Sequence, residues 1–317
     1  MLRGGRSSEH DVSLAGGASV IEGLRDGGHD PVDVLLERDG AWLVDGEPLC
    51  LTPGEGLLGC DVVFPVLHGP FGEDGTVQGL LELLDVPYVG SSVGPSAACM
   101  DKVVFKDLMG RRSLPQVAYA LVQRGDDMLP DVGFPCWVKP ARLGSSVGIE
   151  RIGSAEELRP ALERAFQHDS RVIVEAHGSG LEVEVSLLGH TDSPQVSEPG
   201  EIVLLKGDGW YDYEAKYAHD GMRLEVPARI SAAARQRVSE LASQAFTAAG
   251  CSGLARVDFF VDGESVLLNE INTLPGFTST SVYGRLWAAS GLAYRDLITR
   301  LCEIGVERFE ADRSLRY

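Results

Sequence analysis

Hydrophobic residues recur along this chain in blocks, and the period of each block predicts an element. Leu14, Ala18, Ile21 and Leu24 fall at three- and four-residue intervals, which predicts a helix closed by Gly27-Gly28; a strand follows over Val32 to Leu36. The run DVVFPVL, Asp61 to Leu67, reads as a buried strand that meets a polar turn at His68-Gly69. Thr76 is placed to cap another helix, with Val77, Leu80, Leu81 and Leu84 at helical spacing. Strands alternating with helices predict a parallel sheet covered by helices over residues 1–95, ending in the loop Gly90-Ser91-Ser92-Val93-Gly94-Pro95.

The pattern then changes. Ser96 can cap a helix running toward Met109, and strands are expected at Cys136 to Lys139 and Arg171 to Glu175. Beyond Gly178-Ser179-Gly180 the period drops to two. Val183, Val185 and Leu187 oppose Glu182, Glu184 and Ser186, the signature of a half-buried antiparallel strand. A helix from about Ser231 to Ala249 and a hairpin near Asp262-Gly263 complete the chain, giving expected units of 1–95, 96–178 and 179–317.

Composition narrows the function classes. A length of 317 residues suits two or three units. No apolar run approaches the roughly 20 residues of a membrane span, so no membrane partner is expected. Met1-Leu2-Arg3-Gly4-Gly5 lacks the apolar stretch of a secretory signal. The six cysteines form no C-x-x-C pair and fit a reducing cytoplasm. A formal net charge of −19 repels polyanions, which argues against nucleic acid. A nucleotide would have to bind where a few Lys and Arg residues cluster.

The densest chemistry lies in LARVDFFVDGESVLLNEIN. Period two places Arg256 and Asp258 on one face of the first strand, and Leu268, Glu270 and Asn272 on one face of the second. A three-residue loop, Gly263-Glu264-Ser265, is the expected connection because it pairs Asp258 with Glu270; an even loop would separate them. Two carboxylates and an amide oxygen suit Mg²⁺, and Arg256 could hold an oxyanion or carboxylate. A solvated face with a surface ion pair is the alternative these residues leave open. Lys139-Pro140-Ala141-Arg142-Leu143-Gly144-Ser145-Ser146-Val147-Gly148 offers a charge and backbone N–H groups to phosphates, although a plain flexible turn has the same composition. His68 to Thr76 follows a strand, where α/β sheets present ligand loops, yet His68 by itself reads as structural. Lys102 by itself is a solvent-facing helix lysine. Trp210 to Tyr217 is an aromatic, polar loop suited to covering a ligand.

In order and wording, GGRSSEHDVS, VLHGPFGEDGTVQGLLEL, MDK, VKPARLGSSVG, YDYEAKY, GLARVDFFV and LLNEINTLPGFTSTS resemble the D-alanine-D-alanine ligase family of the ATP-grasp superfamily, over nearly the whole chain. The resemblance implies an N-terminal parallel-sheet α/β domain followed by a two-lobed ATP-grasp fold, α/β and α+β together. It implies that two D-alanine molecules are joined through an acyl phosphate made from ATP, for peptidoglycan precursors. By motif position, Lys102 and Lys139 would hold ATP phosphates, with Ser145 and Ser146 closing over them. Glu175 and Glu182 would lie at the adenine and ribose, and Lys216 and Asn269 would complete the nucleotide set. Asp258, Glu270 and Asn272 would bind a pair of Mg²⁺ ions, a role Mn²⁺ can also fill. Arg256 and the backbone N–H of Gly276 would stabilise the tetrahedral oxyanion, and Ser281 would take the second substrate's carboxylate. His68 would border the substrates. Tyr217 and Lys216 would sit on a loop that excludes water, Tyr217 linked to Ser145; the intact EAKY pattern favours an amine over a hydroxy acid as second substrate, and a D-alanine-D-lactate or D-serine ligase is the enzymatic rival.

A homodimer is the state the resemblance implies. Two departures stand out. Asp11 occupies the position expected to meet the first substrate's ammonium, where the family usually has Glu. Only Met1-Leu2-Arg3 precedes Gly4-Gly5, so the first sheet is expected to lack a central strand unless the chain starts upstream. A nucleotide-binding remnant without activity would share both departures.

Overall fold

The computed structural model describes residues 1–126, 128–144, 147–205 and 221–316, and among these the chain builds three sheets. In the first sheet, Leu2–Gly4 is an interior strand, parallel to Val34–Leu36 on one side and Pro65–Val66 on the other. Trp42–Val44 and Glu47–Pro48 extend it as an antiparallel edge. The expected gap in this sheet is therefore absent. Three residues suffice because Leu2 is wholly buried, and the Met1 amino group donates to the Val32 carbonyl at 2.9 Å. The run Asp61 to Leu67 contributes only Pro65–Val66 to the ladder plus a bridge from Val63 to Tyr88. Pro65 has no N–H to donate, which suits an edge position.

Helices fall close to their sequence signals. His10–Asp26 ends at Gly27, and Thr76–Leu84 begins after Gly75, whose φ of 92° makes Thr76 the first helical residue rather than the cap. The helix expected from Ser96 to Met109 is two helices, Val93–Met100 and Lys102–Arg111. Asp101 separates them in extended geometry, and its carboxylate accepts the Val103 and Val104 N–H groups. The same carboxylate pairs with Arg171. Lys102 is thereby fixed at a helix start beside the second sheet.

The second sheet runs Tyr119–Gln123, Arg171–Ala176, Cys136–Pro140, Glu150–Ile152, all antiparallel, with helix Ala155–Ala165 burying Leu158 and Leu162 against it. The third runs Met222–Glu225, Gly200–Leu204, Leu181–Gly189, Gly253–Asp262, Ser265–Asn272, also antiparallel. Two cores cross the divisions expected from the sequence. Phe105 and Met109 pack with Val183, Val257 and Leu268, so helix Lys102–Arg111 rests on the third sheet. Val20, Ile21 and Phe64 pack with Phe277, Leu297 and Leu301, joining the first unit to the C-terminal helix Tyr294–Arg313.

That junction predicts a packing effect. Gly305 lies in this helix, and a methyl group there would sit 2.7 Å from the Tyr88 carbonyl oxygen. Gly→Ala normally favours a helix, but the clash with rigid backbone outweighs propensity. Gly305→Ala is expected to lower stability by about 1–3 kcal/mol, read as a fall in the urea midpoint.

The hairpin reaches its expected pairing by another route. Asp262 pairs with Ser265, so the turn has two central residues, Gly263 and Glu264, and not three. The register then shifts between Asp258 and Phe259, because Asn269 is an extra residue on the return strand. This bulge restores the pairing Asp258 to Glu270 that the even turn alone would have destroyed.

Candidate active site

Two clefts meet at one point. A cavity of about 410 Å³ is lined by Glu9, His68, Arg256, Asn272, Gly276 and Ser281. Another of about 420 Å³ is lined by Lys139, Trp137, Glu182, Asp258 and Asn269. Lys102 and Glu270 line both. A group transferred between molecules held in the two clefts would pass this pair.

Glu9 and Asp11, the latter expected from the resemblance to meet an ammonium, both line the first cleft but differ in setting. Asp11 stands at the rim with a side chain 83% exposed, paired to Arg38 at 3.0 Å. Helix geometry explains this: His10 and Ser13 take the buried face, which leaves Asp11 turned outward. Glu9, immediately before the helix, is only 6% exposed. Its Oε2 would lie 2.9 Å from a methyl on Gly69 and 3.4 Å from one on Gly144, so the carboxylate is enclosed by two loops of the cleft. The sequence signal was available, since a residue just ahead of a helix points along its end rather than around its barrel.

Glu73 lies against the same loops and accepts the Gly69 N–H at 3.0 Å. Burial first and the Glu9 charge second push its carboxyl up to about 8, while the Gly69 N–H and Lys102 oppose that rise. A raised acid favours the folded state fully below its unfolded value, and that contribution is lost as pH rises through about 8. Glu73→Gln is therefore expected to flatten the fall in stability between pH 5 and 8, measured as urea midpoints across that range. His68 is buried, and its ring Nδ1 lies 3.1 Å from the Leu274 carbonyl oxygen. Burial lowers its pKa against the opposing Glu9 charge, which keeps the ring neutral. A neutral ring whose Nδ1 faces a carbonyl leaves Nε2 as an acceptor, and among the described residues this buried atom has no hydrogen-bond partner.

Opposite these groups, Arg256 is clamped. Its Nε and Nη2 donate to Asp258 at 2.8 and 2.7 Å, and Nε lies 2.9 Å from Glu184 Oε2. Strand register sets this arrangement, since Glu184 pairs with Asp258 across one ladder and Asn272 with Arg256 across the other. The Asn272 amide oxygen also accepts the Leu274 N–H at 2.9 Å. Ser281 precedes helix Val282–Ala289, and its Oγ accepts the Thr278 N–H at 3.0 Å. A methyl on Gly276 would sit 2.8 Å from that Oγ, so Gly276 lets the backbone approach Ser281 closely.

In the second cleft, Lys139 Nζ lies 2.5 Å from Glu175. Glu175 does not open onto the cavity as a free carboxylate: it is 2% exposed and its other oxygen meets Lys106 Nζ at 3.0 Å. Burial would raise its pKa, but Lys106 and Lys139 overcome burial and hold it at about 2. Lys102 Nζ donates to the Leu143 carbonyl at 2.7 Å, tying its helix to the Gly/Ser loop. The sequence reading missed Lys106, whose one signal is its position four residues after Lys102, on the same helix face. Ser145, Ser146, Lys216 and Tyr217, with the expected link between Ser145 and Tyr217, lie outside the described residues. No helix among the described residues is long and apolar enough to cross a membrane.

Comparison with known proteins agrees along the length of the chain. Residues 51–91 match the family model described as D-ala D-ala ligase N-terminus, and residues 108–303 match the one described as D-ala D-ala ligase C-terminus. A D-alanine–D-alanine ligase of Deinococcus radiodurans is 44% identical, over 97% of this chain and 98% of that protein. One from Mycolicibacterium smegmatis is 41% identical, over 97% and 95%. Among solved structures, the D-alanine-D-alanine ligase from Coxiella burnetii superposes with a TM-score of 0.87 at 30% identity, covering 99% of this chain and 94% of that one. The VanG D-Ala:D-Ser ligase from Enterococcus faecalis gives 0.86 at 33% identity, covering 96% and 98%. Alignment over 97% of the chain at 44% identity, with family models matched at both ends and a backbone that superposes closely, settles the family: the chain belongs to the D-alanine-D-alanine ligases.

Proposed function

We propose that this chain joins two D-alanine molecules into a dipeptide at the expense of ATP, through an acyl phosphate formed where the two clefts meet. The observation that supports this is that Lys102 and Glu270 line both cavities, so that a phosphoryl donor bound in one would lie beside a carboxylate bound in the other.

The first D-alanine lies in the cleft of Glu9 and Arg256, its ammonium toward the Glu9 carboxylate. One of its carboxylate oxygens attacks the γ-phosphorus of ATP, and the bond to ADP breaks. The amine of the second D-alanine then attacks the acyl carbon, and phosphate leaves from the tetrahedral intermediate. Arg256, held by Glu184 and Asp258, is oriented in advance for the negative charge that develops, with the Gly276 N–H beside it. Ser281 and the N-terminus of helix Val282–Ala289 receive the second carboxylate, a place where N–H groups and the helix dipole favour an anion. Lys102 and Lys139 face the phosphates; Glu182 and Asn269 line the nucleotide side. Little covalent work falls to the protein, so positioning and charge supply the rate.

Asp258 and Glu270 face each other with Asn272 two residues on, a set of hard oxygen donors that leaves coordination sites for phosphate oxygens and water. This donor set fits Mg²⁺, with Mn²⁺ as a substitute; the ion, when bound, neutralises charge on the transferring phosphoryl group. We place the reaction in the cytoplasm, where ATP is available and peptidoglycan precursors are assembled.

The test is phosphate release with ATP, Mg²⁺ and D-alanine, beside L-alanine, and beside D-lactate or D-serine as second substrate. D-Alanyl-D-alanine with matching phosphate is the expected product. Faster turnover with D-serine or D-lactate as acceptor would overturn the choice of second substrate, and ATP binding without turnover would overturn the enzymatic reading.

A further inference from the structure

Lys106 takes no part in the chemistry above, yet it is among the most deeply buried charged side chains of the molecule, 1% exposed. It does not line the nucleotide cleft, whereas Lys139 does. Between them lies Glu175, one oxygen 3.0 Å from Lys106 and the other 2.5 Å from Lys139. The Lys106 ammonium also lies 5.7 Å from the centre of the Tyr119 ring, and Tyr119 pairs with Glu175 across adjacent strands. Gln116 donates to the Lys106 backbone carbonyl at 2.8 Å, fixing the helix at that point.

We infer that Lys106 is a positioning residue for triphosphate binding, acting through Glu175 so that this carboxylate does not by itself cancel the charge Lys139 presents to the nucleotide cleft. Counting formal charges shows why. Glu175 and Lys139 alone would form a neutral pair, and a neutral pair attracts a triphosphate weakly. Lys106 adds a positive charge on the far side of the carboxylate, so the triad as a whole carries a net charge of +1, set against the Glu182 and Glu270 charges that also act on Lys139. In a site shielded from water, one unit of charge at this range changes anion binding substantially. The inference rests on the second cleft being the ATP site.

A charge-restoring pair of variants tests it. Lys106→Met removes the distant charge and leaves a neutral Glu175–Lys139 pair. Lys106→Met with Glu175→Gln removes both buried charges and returns the net charge to +1. Binding of a non-hydrolysable ATP analogue and of adenosine is measured by calorimetry for each folded variant, with Lys106→Arg as the conservative replacement. Lys106→Met is expected to weaken the triphosphate about tenfold to a hundredfold while adenosine binding changes less than about twofold. The double variant is expected to recover most of the triphosphate affinity, and Lys106→Arg to retain it. Equal losses for adenosine and the analogue, or a double variant weaker than Lys106→Met, would overturn the inference and leave Lys106 a packing residue. Failure of the unaltered chain to bind the analogue would instead overturn the assignment of the cleft, so the two failures are distinguishable.

Discussion

Glu270→Gln is expected to lower the rate of dipeptide formation by about a thousandfold or more, the scale on which phosphoryl-transfer sites lose rate when a charge-handling group is removed. Glu270 is the acidic residue common to both clefts and faces Asp258 directly across the hairpin. Gln keeps the shape and one oxygen but removes the negative charge that a divalent cation requires. Arg256 keeps its bonds to Asp258 and Glu184, so the fold around the hairpin is retained. The check is kcat by phosphate release at saturating ATP and D-alanine, with urea unfolding alongside. A loss of rate with an unchanged midpoint is the expected pattern. Rate and midpoint falling together would assign Glu270 a structural role.

Glu9→Gln and Asp11→Asn should separate cleanly although the two residues stand one position apart. Glu9 is enclosed by the Gly69 and Gly144 loops, and a buried carboxylate that meets an ammonium typically contributes 2–5 kcal/mol on truncation, about thirtyfold to a few thousandfold in kcat/KM for D-alanine. Asp11 holds an exposed pair with Arg38, and such pairs contribute roughly 0–1 kcal/mol. Asp11→Asn is therefore expected to change kcat/KM by less than about fivefold. Steady-state kinetics in D-alanine decides the matter. The reverse order of effects would return the ammonium site to Asp11.

Much of this arrangement was legible in the sequence. The hairpin motif announced Arg256, Asp258, Glu270 and Asn272 on shared faces, and the ladders place them so. What period two could not announce was how they meet. A two-residue turn followed by a bulge at Asn269 gives the same pairing as a three-residue turn, because each adds one residue to the return strand. Alternation alone counts residues and does not locate an extra one. Glu9 was hidden for a related reason: motif position drew attention to Asp11, while helix geometry turns Asp11 out and leaves the residue ahead of the helix facing the cleft. Lys106 and Glu175 stand 69 positions apart in sequence on different elements, a contact no local pattern contains. Leu2–Gly4 shows the limit of length as evidence, since burial of Leu2 and pairing on both sides make three residues an interior strand.

Transfer where the two clefts meet, at Lys102 and Glu270, can be followed with an oxygen label. D-Alanine carrying ¹⁸O in its carboxylate is incubated with the enzyme, ATP and Mg²⁺, and the released phosphate is examined by mass. An acyl phosphate requires the first D-alanine to surrender one carboxylate oxygen, so one labelled oxygen is expected in phosphate for each dipeptide formed. Dipeptide formation with all label absent from phosphate would contradict direct transfer between the clefts.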